Sequence, residues 1–271
     1  MSSVDIEEAA AEIFAVLGTG RQVRPFSDRH PGFDLAAAYR VAARVHERRM
    51  ARGERPVGRK IGFTNRRIWD EYGVYAPIWG HVYDTTVHEL AAVSVGFPLA
   101  GLAEPRIEPE IIVGMSAAPH AAMDDTELLG CIEWVAHGFE LVQSIFSGWV
   151  FAAADTVAAY GLHGALLVGQ RVPVAPDPAR WKTTLPTFGI ELSCDGASME
   201  KGAGSHVLDG PVAALRHLVG VLEASPDQKP LGAGEIVTTG TLTRALPVQA
   251  GQMWSTRLDG IDLPGATVRF R

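Results

Sequence analysis

The chain has 271 residues, 47% of them hydrophobic, with a formal net charge of −7, which fits a globular protein of one large or two small domains. The acidic balance and the lack of any Lys/Arg cluster interleaved with aromatics exclude a nucleic-acid surface, and no apolar run is long enough to cross a bilayer. With no leader-like succession at the start, and with Cys131 and Cys194 in apolar contexts lacking a CxxC spacing, a cytoplasmic protein with reduced thiols is expected.

In chain order, Asp5 to Leu17 has a helical rhythm of Ile6, Ala9, Ala10, Ile13 and Leu17, stopped by Gly18. Arg24 to Gly32 is a turn-rich connector whose His30 reads as a surface residue. Asp34 then caps a helix over Leu35 to Ala51, which ends in an arginine-rich turn before Gly53. From Lys60 onward, short β-type runs alternate with Gly and Pro: Ile107–Met115, Gly138–Ile145, Ala165–Val168, Gly189–Cys194, Glu235–Thr239 and Ala266–Phe270. Helices are expected at Asp124–His137, with an acidic first turn, and at Pro211–Glu223, with Asp209 as N-cap. The pattern predicts an α+β protein in which a helical segment, 1–57, packs on a strand-rich body, 58–271.

Glu108 and Glu110 flank Pro109 in the apolar run Arg106–Val113, and Glu140 lies in the apolar run Gly138–Val142. Residues two apart on a strand share a face, so Glu108 and Glu110 point together. Carboxylates among Ile, Val, Phe and Leu cost several kcal/mol each unless paired or bound to a cation. With oxygen-only ligands that cation is Mg²⁺ or Mn²⁺; the other reading is solvent-facing glutamates on edge strands, which Pro109 favours.

Lysine is scarce, four against 20 arginines, and Lys60 is the only one before Lys182. It sits between glycines in Gly58-Arg-Lys-Ile-Gly-Phe63, and lysine, unlike arginine, can lose its proton when buried. Glu235 to Thr243 runs from a strand into a hydroxyl-rich turn, where N–H groups around Gly240 and the hydroxyl of Thr241 suit a substrate carboxylate or make an ordinary Thr-rich turn. His163, close to Gly161 and Gly164, is either a proton shuttle or a hydrogen-bonded structural histidine. Asp155 and Thr156 read as a cap, with a supporting role near the site as the alternative for Asp155. Gly-x-Ser-x-Gly is absent, which speaks against a serine hydrolase.

Taken together, Lys60-Ile-Gly-Phe-Thr64, Pro105-Arg-Ile-Glu-Pro-Glu110, Glu140 in Phe-Glu-Leu-Val, Ala154-Asp-Thr-Val-Ala158, Thr239-Gly-Thr-Leu-Thr243 and Pro247-Val-Gln-Ala-Gly251 resemble the 2-keto-4-pentenoate hydratase / 4-oxalocrotonate decarboxylase family, a branch of the fumarylacetoacetate hydrolase superfamily. The resemblance implies a mixed β-roll body with a helical N-terminal part, and a homo-oligomer. It implies Glu108, Glu110 and Glu140 as Mg²⁺ ligands, Lys60 as an active-site lysine, and Thr241, with Gly240 and Phe63 of the same motifs, near a small 2-oxo acid. Hydration of a 2-oxo-alkenoate in aromatic catabolism is the expected activity. Decarboxylation or another carbon–carbon cleavage through the same enolate is the alternative, and a non-catalytic metal and 2-oxo-acid binding oligomer is the reading of another class. The chain departs from typical hydratases at Ile78, Gln143 and Leu162-His163, where acidic or serine residues are usual, and its segment Asn65–Glu71 lacks the histidine of the hydrolase branch. His163 is the candidate to replace the missing proton-transfer group.

Overall fold

The computed structural model describes residues 4–225 and 228–271. Three helices come first, α1 (Ile6–Val16), α2 (Phe26–Arg29) and α3 (Leu35–Ala51). Asp34 caps α3 as its position predicts, accepting from the N–H of Ala37, and Asp5 does the same for α1 through Glu8. The strands are β1 (Pro56–Gly62), β2 (Ile78–Tyr83), β3 (Val87–Glu89), β4 (Arg106–Met115), β5 (Ile132–Val142), β6 (His163–Val168) and β7 (Val172–Pro173). After them come β8 (Gly189–Cys194), β9 (Ala197–Ala203), β10 (Ile236–Thr241), β11 (Leu246–Pro247), β12 (Met253–Asp259) and β13 (Thr267–Arg269). Short helices α4 (Trp69–Tyr72), α5 (Asp125–Gly130), α6 (Ala153–Ala158) and α7 (Pro178–Thr184), and the longer α8 (Pro211–Glu223), lie between them.

A nine-stranded mixed sheet runs β2, β1, β10, β4, β5, β6, β3, with β11 beside β4 and β7 beside β5; a four-stranded sheet runs β13, β12, β8, β9. Alternation along β4 assigns its two faces. Ile107 packs with Phe139 and Leu167 against Leu192, Trp254 and Val268 of the small sheet. Ile111 and Val113 pack with Val135 against α5, α7 and α8. The opposite face carries Glu108, Glu110 and Ile112. Ile112 meets Ala136, Leu166 and Val168 of β5 and β6 and also Val82 of β2, from the far edge of the sheet. The large sheet is therefore rolled, and its interior is apolar at one end and acidic at the other.

Two elements differ from the sequence expectation. The helix expected over Asp124–His137 starts as read, with a capping box between Asp124 and Glu127, but ends at Gly130, and Ile132–Val142 is strand β5. Its pairing with β4 along the whole length, and with β6 on the other side, overrides the local helical reading. At α8 the N-cap is Gly210, not Asp209, whose backbone is left-handed (φ 73°) and whose carboxylate pairs with Arg66. Strand β4 is central, and Pro109 is accommodated where β10 bulges between Thr238 and Thr241.

The N-terminal helices share one core with Val142, Ile145, Phe146 and α6. Asp155 is fully buried and fixes that junction: its carboxylate accepts from the N–H groups of Phe26 (2.8 Å), Ser27 (3.1 Å) and Ala152 (2.9 Å) and from the Ser27 hydroxyl. Among the described residues no helix is long and apolar enough to cross a membrane.

Candidate metal and substrate site

Register brings the acids together. Glu108 on β4 lies directly opposite Glu140 on β5, and Glu110 lies opposite Thr241 at the β10 bulge. Directly opposed like charges destabilise a sheet unless a cation intervenes. One carboxylate oxygen from each of Glu108, Glu110 and Glu140 lies within 4.8 Å of the others. Glu110 and Glu140 are fully buried, and Glu110 Oε1 and Glu140 Oε2 have no hydrogen-bond partner.

The surrounding protein orients these carboxylates without filling them. Gly240 N–H donates to Glu110 Oε2 at 2.9 Å. Gly240 has φ 101°, and a Cβ there would fall 1.7 Å from Thr64 Oγ1, so the bulge needs glycine. Lys60 Nζ donates to the Gly161 carbonyl at 2.9 Å and lies 3.1 Å from Glu140 Oε2, an ion-pair contact outside hydrogen-bonding geometry. His163 Nδ1 is 2.7 Å from Glu140 Oε1, and its Nε2 is 2.9 Å from Thr86 Oγ1. With its proton on Nδ1 the imidazole donates to Glu140, and its Nε2 then competes with the Tyr83 carbonyl, 3.0 Å away, for the Thr86 hydroxyl proton.

Charge in the cluster is unbalanced. Burial pushes the Glu108 carboxyl up to about 7 against the pull of Lys60, and burial followed by Glu140 and Glu108 pushes Glu110 well above the ordinary range. Glu140 is lowered to about 2, because Lys60 and His163 outweigh its burial. Burial pulls the Lys60 ammonium down, but Glu140, Glu108 and Glu110 together raise it above its ordinary value. One lysine faces three acids, and two buried oxygens lack partners. This oxygen-only donor set fits a hard divalent cation, Mg²⁺ or Mn²⁺.

Beside the acids is a narrow pocket of ≈ 30 Å³, lined by Lys60, Phe63, Tyr72, Glu108, Trp149 and Thr241 among others. Ile68, Val142, Leu162 and Ala245 complete an apolar wall. The structure gathers Lys60, Phe63, Thr241 and the three acids around one pocket, while two further candidates, Gly240 and His163, hydrogen-bond to the acids. The N–H of Gly240 is committed to Glu110, so it serves an acid rather than a substrate carboxylate. His163 is 1% exposed, has both nitrogens engaged, and stands behind Glu140 outside the pocket lining, so it is not placed to shuttle protons to a substrate. The Thr241 hydroxyl donates to the Thr243 carbonyl at 3.0 Å. Gln143, at the third departure, accepts from Ala103 N–H and is structural.

Sequence reading missed Tyr72, Arg106 and Trp149. Arg106 Nη1 donates to the Tyr72 hydroxyl at 2.6 Å, and the guanidinium lies 4.2 Å from the Trp149 ring centroid. The available signal was alternation, since Arg106 shares the β4 face of Glu108 and Glu110. A larger hollow of ≈ 440 Å³ lies beneath α3, on the opposite face of β1, lined by Tyr39, His46, Arg59, Trp79 and His81. It holds none of the three acids, and its Arg59 pairs with Glu235 at 3.2 Å.

No family model matches the chain. It is 30% identical over 259 residues to a 2-hydroxyhexa-2,4-dienoate hydratase of Comamonas testosteroni, with 94% of each chain covered. A 2-keto-4-pentenoate hydratase of Paraburkholderia xenovorans is 29% identical, with 94% of this chain and 91% of the relative covered. Among solved structures, a 4-oxalocrotonate decarboxylase from Pseudomonas putida G7, complexed with magnesium and adipate, superposes with a TM-score of 0.86 over 100% of both chains at 24% identity. A fumarylpyruvate hydrolase from Pseudomonas aeruginosa, in complex with Mn²⁺ and pyruvate, has a TM-score of 0.56 at 14% identity, covering 78% of this chain and 88% of its own. The rolled sheet, the paired acids of β4 and β5 and the 30% identity over nearly the whole chain to the Comamonas relative converge on one assignment: the chain belongs to the family of the 2-hydroxyhexa-2,4-dienoate and 2-keto-4-pentenoate hydratases, and it has the fold of the 4-oxalocrotonate decarboxylase and fumarylpyruvate hydrolase structures.

Proposed function

We propose that the protein is a metal-dependent hydro-lyase of aromatic catabolism, adding water to a 2-hydroxypenta-2,4-dienoate-like substrate to give a 4-hydroxy-2-oxo acid. The observation that carries this reading is the cluster of Glu108, Glu110 and Glu140, with open oxygens beside Lys60 and a pocket that is otherwise largely apolar. The hydratase names of the full-length relatives support the same reaction. Mg²⁺ or Mn²⁺ held by the three glutamates supplies a Lewis acid for the C1 carboxylate and C2 oxygen of a 2-oxo acid. Lys60 is the ammonium that neutralises the anionic end of the substrate. His163 holds Glu140 in one rotamer, and the Gly240 N–H does the same for Glu110. Phe63, Leu162 and Val142 exclude water from around the carbon chain, while Thr241 shapes the pocket floor. In this reading the protein acts as a cytoplasmic homo-oligomer, with residues 1–57 as a helical cover on the body formed by 58–271.

One observation favours a second reading, decarboxylation of a dicarboxylic 2-oxo acid: Arg106 has no carboxylate ion-pair partner among the described residues. Loss of dienol absorbance with 2-hydroxypenta-2,4-dienoate and Mg²⁺, abolished by chelation and restored by Mg²⁺, is the expected result for hydration. Turnover that survives chelation overturns metal dependence. Release of CO₂ from 2-oxohex-3-enedioate without hydration of the monocarboxylate installs the second reading.

A further inference from the structure

Hydration of a 2-hydroxy-2,4-dienoate moves protons at two ends of the molecule. The enol O–H proton leaves near C2 while C5 gains one; then water adds at C4, giving up a proton, as C3 gains one. Lys60 and the acids occupy the C1–C2 end in the reading above, on which this inference rests. Polar side chains at the other end are few. Of the protic groups lining the pocket, Thr241 donates to Thr243 and Trp149 Nε1 donates to the Glu104 carbonyl. Tyr72 differs, because its hydroxyl lies on the pocket lining, its oxygen accepts from Arg106, and its proton has, among the described residues, only the neighbouring Glu71 carboxylate to turn to.

The phenol is firmly placed. Its ring stacks on Phe151 at an interplanar angle of 9° and meets Phe63 and Trp149 edge to face. The segment carrying it is tied to the body on both flanks, through Arg66 with Asp209 and Glu71 with Arg244, and Trp69 Nε1 donates to the Phe63 carbonyl. Arg106 stands one pleat repeat from Glu108 on the same face of β4, about 6.6 Å along the strand, which matches the reach from the acids to the far carbons of a five-carbon chain.

We infer that Tyr72, supported by Arg106, is the acid–base group at the C4–C5 end of the substrate. The Tyr72 hydroxyl gives its proton to C5 as the enol proton leaves at the other end, and the resulting phenolate lies against the Arg106 guanidinium. Water then forms the C4–O bond and returns one proton to Tyr72, while C3 takes one proton from solvent in exchange for the enol proton released to solvent. The phenol is regenerated, and the sum is addition of one water. Burial, the largest influence, pushes the phenol up to about 12, so it is protonated and ready to donate before each cycle.

The test compares wild type, Tyr72→Phe and Arg106→Gln with 2-hydroxyhexa-2,4-dienoate, whose C5 becomes a CHD centre, and Mg²⁺ in D₂O, reading kcat, KM and the stereochemistry of deuterium at C5 by NMR. Tyr72→Phe keeps the ring and is expected to lose about 100-fold in kcat, the low end for general acid–base groups, with KM within about threefold and Mg²⁺ affinity unchanged by calorimetry. Deuterium at C5 becomes racemic or absent. Arg106→Gln is expected to lose about tenfold in kcat, and it serves alone if Tyr72→Phe does not fold. Stereospecific C5 labelling and a kcat at least half that of wild type in either variant overturn the inference. A wild-type protein inert toward the dienoate overturns the functional reading instead.

Discussion

Two buried charge clusters, each built around a glutamate facing a cation, have opposite arithmetic. At the end of α3, Glu54 meets two arginines: Arg49 donates to Oε2 from Nε (2.9 Å) and Nη2 (2.6 Å), and Arg52 donates to Oε1 from Nε (2.8 Å). The Thr85 hydroxyl adds a bond to Oε2 at 2.7 Å, and the Arg49 guanidinium lies 3.7 Å from the Tyr83 ring centroid. Burial pushes the Glu54 carboxyl up, but Arg49, Thr85 and Arg52 outweigh it and hold it below the ordinary range. Inside the roll, three glutamates share one lysine, which meets Glu140 Oε2 at 3.1 Å, and the buried Glu110 Oε1 stays open. A buried carboxylate whose lone pairs are filled by its own chain is a brace. One whose lone pairs are left open awaits a ligand.

Amide replacement breaks this comparison most sharply. Glu110→Gln and Glu140→Gln keep shape but remove charge, and each is expected to lower Mg²⁺ affinity at least about 100-fold, beyond the 10–100-fold typical of outer partners. Glu108→Gln belongs to the same set. Calorimetric titration giving wild-type affinity in all three moves the site elsewhere. Glu54→Gln is expected to do the reverse, costing about 3 kcal/mol by leaving buried Arg49 without a counter-charge while Mg²⁺ affinity stays within about twofold; urea melts and titration of one preparation check both.

Lys60→Arg is expected to lose turnover about as severely as Lys60→Ala, near 100-fold. A planar fork cannot replace a point charge between the Gly161 carbonyl and Glu140, where a Cβ on Gly161 would already lie 2.8 Å from the lysine chain. Retention of most wild-type kcat by Lys60→Arg would reduce the lysine to a replaceable cation. His163→Ser is expected to weaken Mg²⁺ binding about tenfold through a looser Glu140, and unchanged affinity would make the imidazole mere packing.

The smallest expected effect concerns pH. Glu108, raised to about 7, holds a proton at pH 6 that a metal must displace, and at pH 8 it does not. Mg²⁺ affinity should therefore rise roughly tenfold from pH 6 to 8, seen as a larger Mg²⁺-induced increase in Tm at the higher pH. The buried histidines with lowered pKa, such as His137 at about 4, are neutral when folded and destabilise the protein as pH falls below 6.5. His137 touches none of the three carboxylates and acts equally with and without metal, so the difference isolates the acids and the His163 bonded to Glu140. A Tm increment that is flat or falls with pH contradicts the assignment.

Much of the acidic half of the site was legible because its signal is local. Glutamates among Ile, Val and Phe are conspicuous anywhere, and Lys60 stands out in an arginine-rich chain. The far end of the pocket was not legible. Tyr72 and Trp149 come from short irregular segments, and only the folded chain brings them to Arg106. The glycines and hydroxyls around His163 and Gly240 are readable locally, but their hydrogen bonds to Glu140 and Glu110 depend on strand register and are not. The strand over Ile132–Val142 lost its first half to a helical reading because the capping box at Asp124 is a local signal, while the pairing that overrules it is not.

Asp155 has a consequence in time. Its carboxylate binds the backbone of Phe26 and Ser27 across 129 and 128 residues of sequence. At synthesis rates of about 5–20 residues per second, the ribosome needs on the order of 10 s after making Phe26 before its partner exists. For that interval α1 and α3, made early, have no α6 to cover their apolar sides. Asp155→Asn should therefore lower the yield of native protein during synthesis more than it lowers the stability of molecules already folded.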